Sequence, residues 1–201
     1  MSSLNPHAAY TEPAKEILRN WPVQTRVLLQ ALRTALGTAP AELAWPEGLA
    51  PEDFLAEAER HRVVAFLHQQ LPVAMRAQWP ALAQEQLRAA ARHSAERALD
   101  RSVELVRIAQ LFEAAGIPFL SVKGPLLAQA LYGDVGSRHA GDLDLLVAPE
   151  RLADADAVLR AAGCRRSQPD FELTPRQWRQ YQRIKHEFEY FNDTTGVRIE
   201  V

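Results

Sequence analysis

Around Gly116 the periodicity of the apolar residues changes, and that change limits what this chain can fold into more than any other feature. From Thr11 to Gly116 the pattern is helical, with breaks expected at Pro22, Gly37, Pro40, Pro46, Gly48, Pro51, Pro72 and Pro80. The strongest segment runs from about Pro80 to Ala115. There Leu99, Val103 and Val106 recur at steps of four and three, as do Leu105, Ile108 and Phe112. The two rows together are expected to make one wide apolar face buried in the core. Gly116 stands where a left-handed residue would end the helix, and Pro118 prevents its continuation.

Beyond Gly116 short β-rich runs alternate with helices. Ile117–Lys123 reads as a strand, and Gly124-Pro125 turns into a short helix through LLAQALY, with proline suited to the first helical position. Gly141–Val147 reads as a second strand, followed by a helix over Pro149–Ala162 that Gly163 closes. Thr174-Pro175-Arg176-Gln177 is a capping-box pattern opening a helix to Lys185. His186–Phe191 and Val197–Val201 flank the polar turn Asn192–Gly196 as a β-hairpin. The expected class is α+β: a helical N-terminal region, residues 1–116, packed on a mixed β-sheet domain with flanking helices, residues 117–201.

Composition narrows the function. Hydrophobic residues make up 47% and charged residues 24% of the chain, as in ordinary globular proteins, which argues against a disordered or low-complexity role. Lys and Arg number 23 against 25 Asp and Glu, so no overall field favours nucleic acid or an anionic membrane. The single cysteine, Cys164, has no disulfide partner within the chain. No N-terminal signal pattern and no run near the ~18 apolar residues of a membrane span is present, so the expectation is a cytoplasmic protein without a membrane partner.

The chemistry concentrates in acids. Side chains alternate along a strand, so Asp142 and Asp144 project from one side of Gly141–Val147 and Leu143 and Leu145 from the other. Two unit charges about 6 Å apart repel by roughly 3 kcal/mol at an effective dielectric near 20, so the pair calls for a cation, an arginine or a proton. Hard carboxylate oxygens in this arrangement suit Mg²⁺ or Mn²⁺ shared with substrate phosphates. In Val197-Arg198-Ile199-Glu200-Val201 the alternation turns Glu200 away from the core, and if this strand lies beside Gly141–Val147 three carboxylates converge. Gly124, between a strand and a helix start, makes an anion seat. Lys123 and Arg138 stand close in sequence to supply positive charge for a triphosphate.

The stretch SVKGPLLAQALYGDVGSRHAGDLDLLV resembles the signature of the uncharacterised nucleotidyltransferase family, within the polymerase-β-like nucleotidyltransferase superfamily. Its Lys-Gly start is also similar to that of abortive-infection toxin nucleotidyltransferases. The resemblance is close over Phe119–Val147 and looser at Ile199-Glu200-Val201. It implies a minimal nucleotidyltransferase sheet on which Asp142 and Asp144 bind divalent ions and Glu200 is a third ligand or activates the acceptor hydroxyl. It also implies that Gly124 approaches the nucleotide phosphates, beside the charges of Lys123 and Arg138. The implied reaction moves a nucleoside monophosphate from the triphosphate to a hydroxyl acceptor, which could be a small molecule, a protein or RNA. The pattern departs from the superfamily at Gly124-Pro125, where Gly-Gly or Gly-Ser is usual, so one backbone N–H is missing from the phosphate cradle. The chain is also expected to be truncated at its C-terminus relative to such enzymes, which continue beyond the third acid.

Other readings stand beside this one. A catalytically degenerate nucleotidyltransferase fold serving as an interaction module accounts for the proline after Gly124. Glycosyltransferases that hold a nucleotide-sugar through an Asp-x-Asp place a long apolar strand before the acids, whereas Ser137–Gly141 reads as a loop. Arg176, Arg179 and Arg183, with Trp178 and Tyr181 interleaved, could grip RNA, but the commoner meaning is a solvated helix face with its aromatics in the core. The six histidines, His7, His61, His68, His93, His139 and His186, show no metal-ligand spacing.

Overall fold

The computed structural model describes residues 20–39, 43–139, 141–184 and 187–201. The chain forms two compact units, Met1–Ser94 and Ala95–Val201, which divide inside a long helix rather than at Gly116. The reason is packing: the C-terminal part of that helix shares its core with the sheet. The expected strand starting at His186 falls partly outside the described residues, as do Lys185, His7 and the segment beginning at Thr11.

Among the described residues of the first unit are helices α1 (Val23–Ala35), α2 (Pro51–Arg60), α3 (Val64–Gln70) and α4 (Val73–Arg76), and the start of α5 (Ala81–Ala114). Pro51 opens α2, Glu52 and Asp53 occupy its first turn and Arg60 its last, in keeping with the helix dipole. Trp45, Phe54 and Trp79 meet in an aromatic cluster with ring centroids 5.2–5.3 Å apart. Around them Leu28, Leu67, Leu71, Met75 and Leu87 are buried.

The second unit carries β1 (Phe119–Ser121), α6 (Gly124–Tyr132), β2 (Leu143–Val147), α7 (Leu152–Ala161), β3 (Cys164–Gln168), α8 (Pro175–Ile184), β4 (Glu189–Asn192) and β5 (Val197–Glu200). Among the described residues five strands lie in the order β1-β2-β5-β4-β3, and of these only the β2–β5 pair is parallel. On the inner face Leu143, Leu145, Val147, Val197, Ile199, Phe188 and Tyr190 pack with Leu105, Ile108 and Phe112 of α5 and Leu152, Ala155 and Leu159 of α7. Each large side chain so buried contributes roughly 1.5–3 kcal/mol. Gly116, at φ +63°, ends α5 with Ile117 N–H donating to Phe112 O and Gly116 N–H to Glu113 O, so the expected helix stop is present.

The expectation of one wide apolar face on α5 is half right. Leu105, Ile108 and Phe112 are at most 5% exposed, whereas Leu99, Val103 and Val106 are 56, 71 and 57% exposed. At 100° per residue the two rows centre about 150° apart, so a helix lying on a sheet buries one of them. Strand β3 was not expected. Beside the core residue Cys164, its other inward position holds Arg166 instead of an apolar residue, neutralised by Asp156 at 2.9 Å and donating to Pro169 O and Phe171 O. Trp178 stacks on Phe188 at 4.7 Å while Arg176, Arg179 and Arg183 are exposed, the ordinary amphipathic arrangement.

Candidate active site

The site is built by the one parallel pairing. In β2, Leu143, Leu145 and Val147 fill the core, so Asp144 is turned to the outer face. β5 runs beside it with Leu143 opposite Ile199 and Asp144 opposite Glu200. The expected neighbour relation between Gly141–Val147 and Val197–Val201 is therefore realised, in the register that sets the two acids side by side. Glu200 is held on its other side too, because Glu189 of β4 stands opposite it and Phe188 and Val201 exchange both backbone hydrogen bonds. Asp144, Glu200 and Glu189 thus form a transverse row across three strands.

Like charges directly opposite each other on a sheet are destabilising. The consequence appears at Glu200, whose carboxyl is pushed above the usual range by burial first, then by Asp142, Glu187, Asp144 and Glu189. Glu187 and Glu189 were not singled out from the sequence. The signal was there in Glu187-Phe188-Glu189-Tyr190, where acids alternate with core aromatics at a period of two.

Lys123 answers the aspartates. It stands two residues after β1, and its Nζ donates to Asp144 Oδ1 at 2.8 Å from a half-exposed position. That bond, with the charges of Asp144, Asp142 and Glu200, raises the lysine's pKa. The other carboxylate oxygen, Asp144 Oδ2, is buried with no hydrogen-bond partner. Gly124 adopts φ +71°, a left-handed conformation that favours glycine, at the start of α6. A Cβ there would lie 3.6 Å from the carbonyl oxygen of Asp142, so the glycine-led helix start and the acid-bearing loop adjoin. Arg138 lies half-buried in extended backbone after the short 3₁₀ turn Val135–Ser137. No ion pair joins it to an acid among the described residues.

Among the described residues no group of three or more His, Cys, Asp or Glu is gathered so as to hold a metal ion. The acids share a face and a row without forming a closed cage. Hard oxygens with one buried, unpartnered carboxylate atom nevertheless fit a divalent cation that takes one or two carboxylates and completes its shell with water and phosphate. A polar cleft of about 310 Å³ bordered by Arg160, Arg165 and Arg166 lies elsewhere in this unit. Its arginines are already paired with Glu172, Asp193 and Asp156, so it offers no vacant anion seat. Cys164 is buried against Arg107, and burial pushes its thiol up, as expected of an inert packing residue. No helix among the described residues is long and apolar enough to cross a membrane.

Comparison with curated proteins and with solved structures finds no match. The family model of an uncharacterised nucleotidyltransferase matches residues 47–201, a span that includes every acid of the row, Lys123 and Gly124. The chain belongs to the uncharacterised nucleotidyltransferase family.

Proposed function

We propose that this protein is a metal-dependent nucleotidyltransferase that moves a nucleoside monophosphate from a nucleoside triphosphate to a hydroxyl acceptor. The observation that carries the reading is the register of β2 and β5, which sets Asp144 beside Glu200, with Lys123 donating to Asp144 and Gly124 close to the Asp142 carbonyl. Asp142 and Asp144 hold Mg²⁺ or Mn²⁺, with Glu200 beside them. Bound there, the cation supplies charge neutralisation to the phosphate oxygens as the α-phosphorus is attacked.

The chain's own groups do the rest. Gly124 lets the backbone approach the triphosphate closely, and the N-terminus of α6 favours its negative charge. Lys123 exchanges Asp144 for a phosphate oxygen, and Arg138 adds a second cation from the loop before the acids. The acceptor oxygen forms a bond to the α-phosphorus, the bond to pyrophosphate breaks, and the acceptor's proton passes to a carboxylate oxygen of Glu200. Burial, the leading cause that holds the Glu200 carboxyl above its usual range, favours its taking up that proton. Positioning and charge neutralisation account for most of the rate in this scheme.

A second reading, a catalytically degenerate fold acting as an interaction module, draws support from Pro125, which removes one N–H from the phosphate seat. Thermal unfolding separates the two. A triphosphate with Mn²⁺ should raise the melting temperature by several degrees, since a ligand at about 100 times its Kd stabilises the native state by about 2.7 kcal/mol. Asp142→Asn with Asp144→Asn should abolish the shift. A full shift in that double variant sinks the assignment, and no shift in the native protein favours the interaction module. Incubation with α-labelled triphosphates and candidate acceptors then identifies what receives the label.

A further inference from the structure

Arg101 is a buried arginine at a position the helix pattern reserves for apolar residues. Residues 101, 105, 108 and 112 follow one another at steps of four, three and four, and the last three face the sheet as core. Arg101 is only 7% exposed. Among the described residues its guanidinium bonds no carboxylate: Nε and Nη2 both donate to Gly141 O, at 3.1 and 2.9 Å, and Nη1 donates to Arg97 O at 2.8 Å. A buried charge is costly unless its donors are satisfied and an opposite charge is near. Backbone carbonyls meet the first need. The acids that answer the second are Asp142, whose own peptide link begins at the Gly141 carbonyl, and Asp100 on the same helix, both of which interact favourably with Arg101.

A second contact fixes the same loop. Gly136 packs so closely on α5 that a Cβ there would stand 3.1 Å from the Ala95 Cβ. Ser137 is buried beside it. The segment preceding the aspartates is therefore seated on α5 at both ends, by a close backbone approach at Gly136 and by the guanidinium at Gly141.

We infer that Arg101 is the positioning residue for Asp142: its two-pronged grip on the Gly141 carbonyl sets where the Asp142 carboxylate stands. The inference rests on the proposed role of Asp142 as a ligand. Lysine cannot reproduce it, because a single ammonium lacks the planar fork that places two N–H groups on one oxygen while a third reaches Arg97 O.

The test compares Arg101→Lys with Arg107→Lys in the full chain. Arg107 lies on the same helix but serves the buried Glu104, with Ala162 O and Cys164, and is a control for loss of a half-buried arginine fork. Amide hydrogen exchange in metal-free protein should accelerate at least tenfold over residues 141–144 in Arg101→Lys and stay at the native rate there in Arg107→Lys. Mn²⁺ affinity, read by electron paramagnetic resonance, should fall at least fivefold in Arg101→Lys only. Native exchange at 141–144 in Arg101→Lys, or equal acceleration in both variants, overturns the anchoring. Accelerated exchange with unchanged Mn²⁺ affinity overturns its service to the site. Should the native protein bind no Mn²⁺, the ligand reading of the acids fails instead, and the exchange data still decide whether Arg101 holds the loop.

Discussion

Glu200 occupies the middle of a carboxylate row, and its chemistry follows from that place. Its folded carboxyl is harder to ionise than in the unfolded chain because burial and four other acids oppose the charge. The stability it contributes is therefore fully present below the ordinary carboxylate range and is lost as pH rises through the raised folded value. Glu200→Gln removes a charge the metal-free protein accommodates poorly. At neutral pH it should raise stability by roughly 0.2–1 kcal/mol. The gain should vanish below about pH 4, where glutamate is protonated in either state. A melting curve at each pH checks this. A gain that persists in acid would show that packing, not charge, governs the position.

At the level of elements, β3 shows how a strand can hold together without an apolar pattern. Arg166 takes the inward place, Asp156 of α7 accepts its Nη1–H at 2.9 Å, and the Tyr190 hydroxyl donates to the same Asp156 oxygen at 2.9 Å. The group ties α7, β3 and β4 through one buried carboxylate. Asp156→Asn removes the buried counter-charge of a buried guanidinium, leaving only the exposed Glu172 at 3.8 Å, and should cost about 3–5 kcal/mol. Urea denaturation should show this as a lower midpoint, and a loss under about 1 kcal/mol would mean that the carbonyls of Pro169 and Phe171 suffice for Arg166. The same logic explains why α5 carries Arg101 and Glu104 along its buried stripe. Asn192 Nδ2 donates to Glu104 Oε1 at 2.9 Å, joining the helix to the hairpin.

At the level of the whole molecule, every residue assigned to the site falls within Ala95–Val201. Binding of a triphosphate with Mn²⁺ should slow amide exchange chiefly around residues 122–126, 141–145 and 199–200. Protection confined to residues 20–94 would place the ligand in the other unit. Much of this unit was legible in the residues alone. Gly116, the Thr174–Gln177 capping box and the Asn192–Gly196 turn act through neighbours in sequence, and each forms as its pattern predicts. Alternation likewise put Asp144 on the outer side of one strand and Glu200 on the outer side of another, because a strand's period of two is a local property, whereas Asp142 falls in a bend just before β2, which begins at Leu143. What the residues could not express is which strand lies beside which. The parallel pairing of β2 with β5, the burial of only one row of α5, the polar strand β3 and the grip of Arg101 on Gly141 all depend on groups distant in the chain finding each other. Local chemistry determined the elements and supplied the acids; long-range burial of apolar surface decided their order, and with it the row of carboxylates on which the proposed reaction depends.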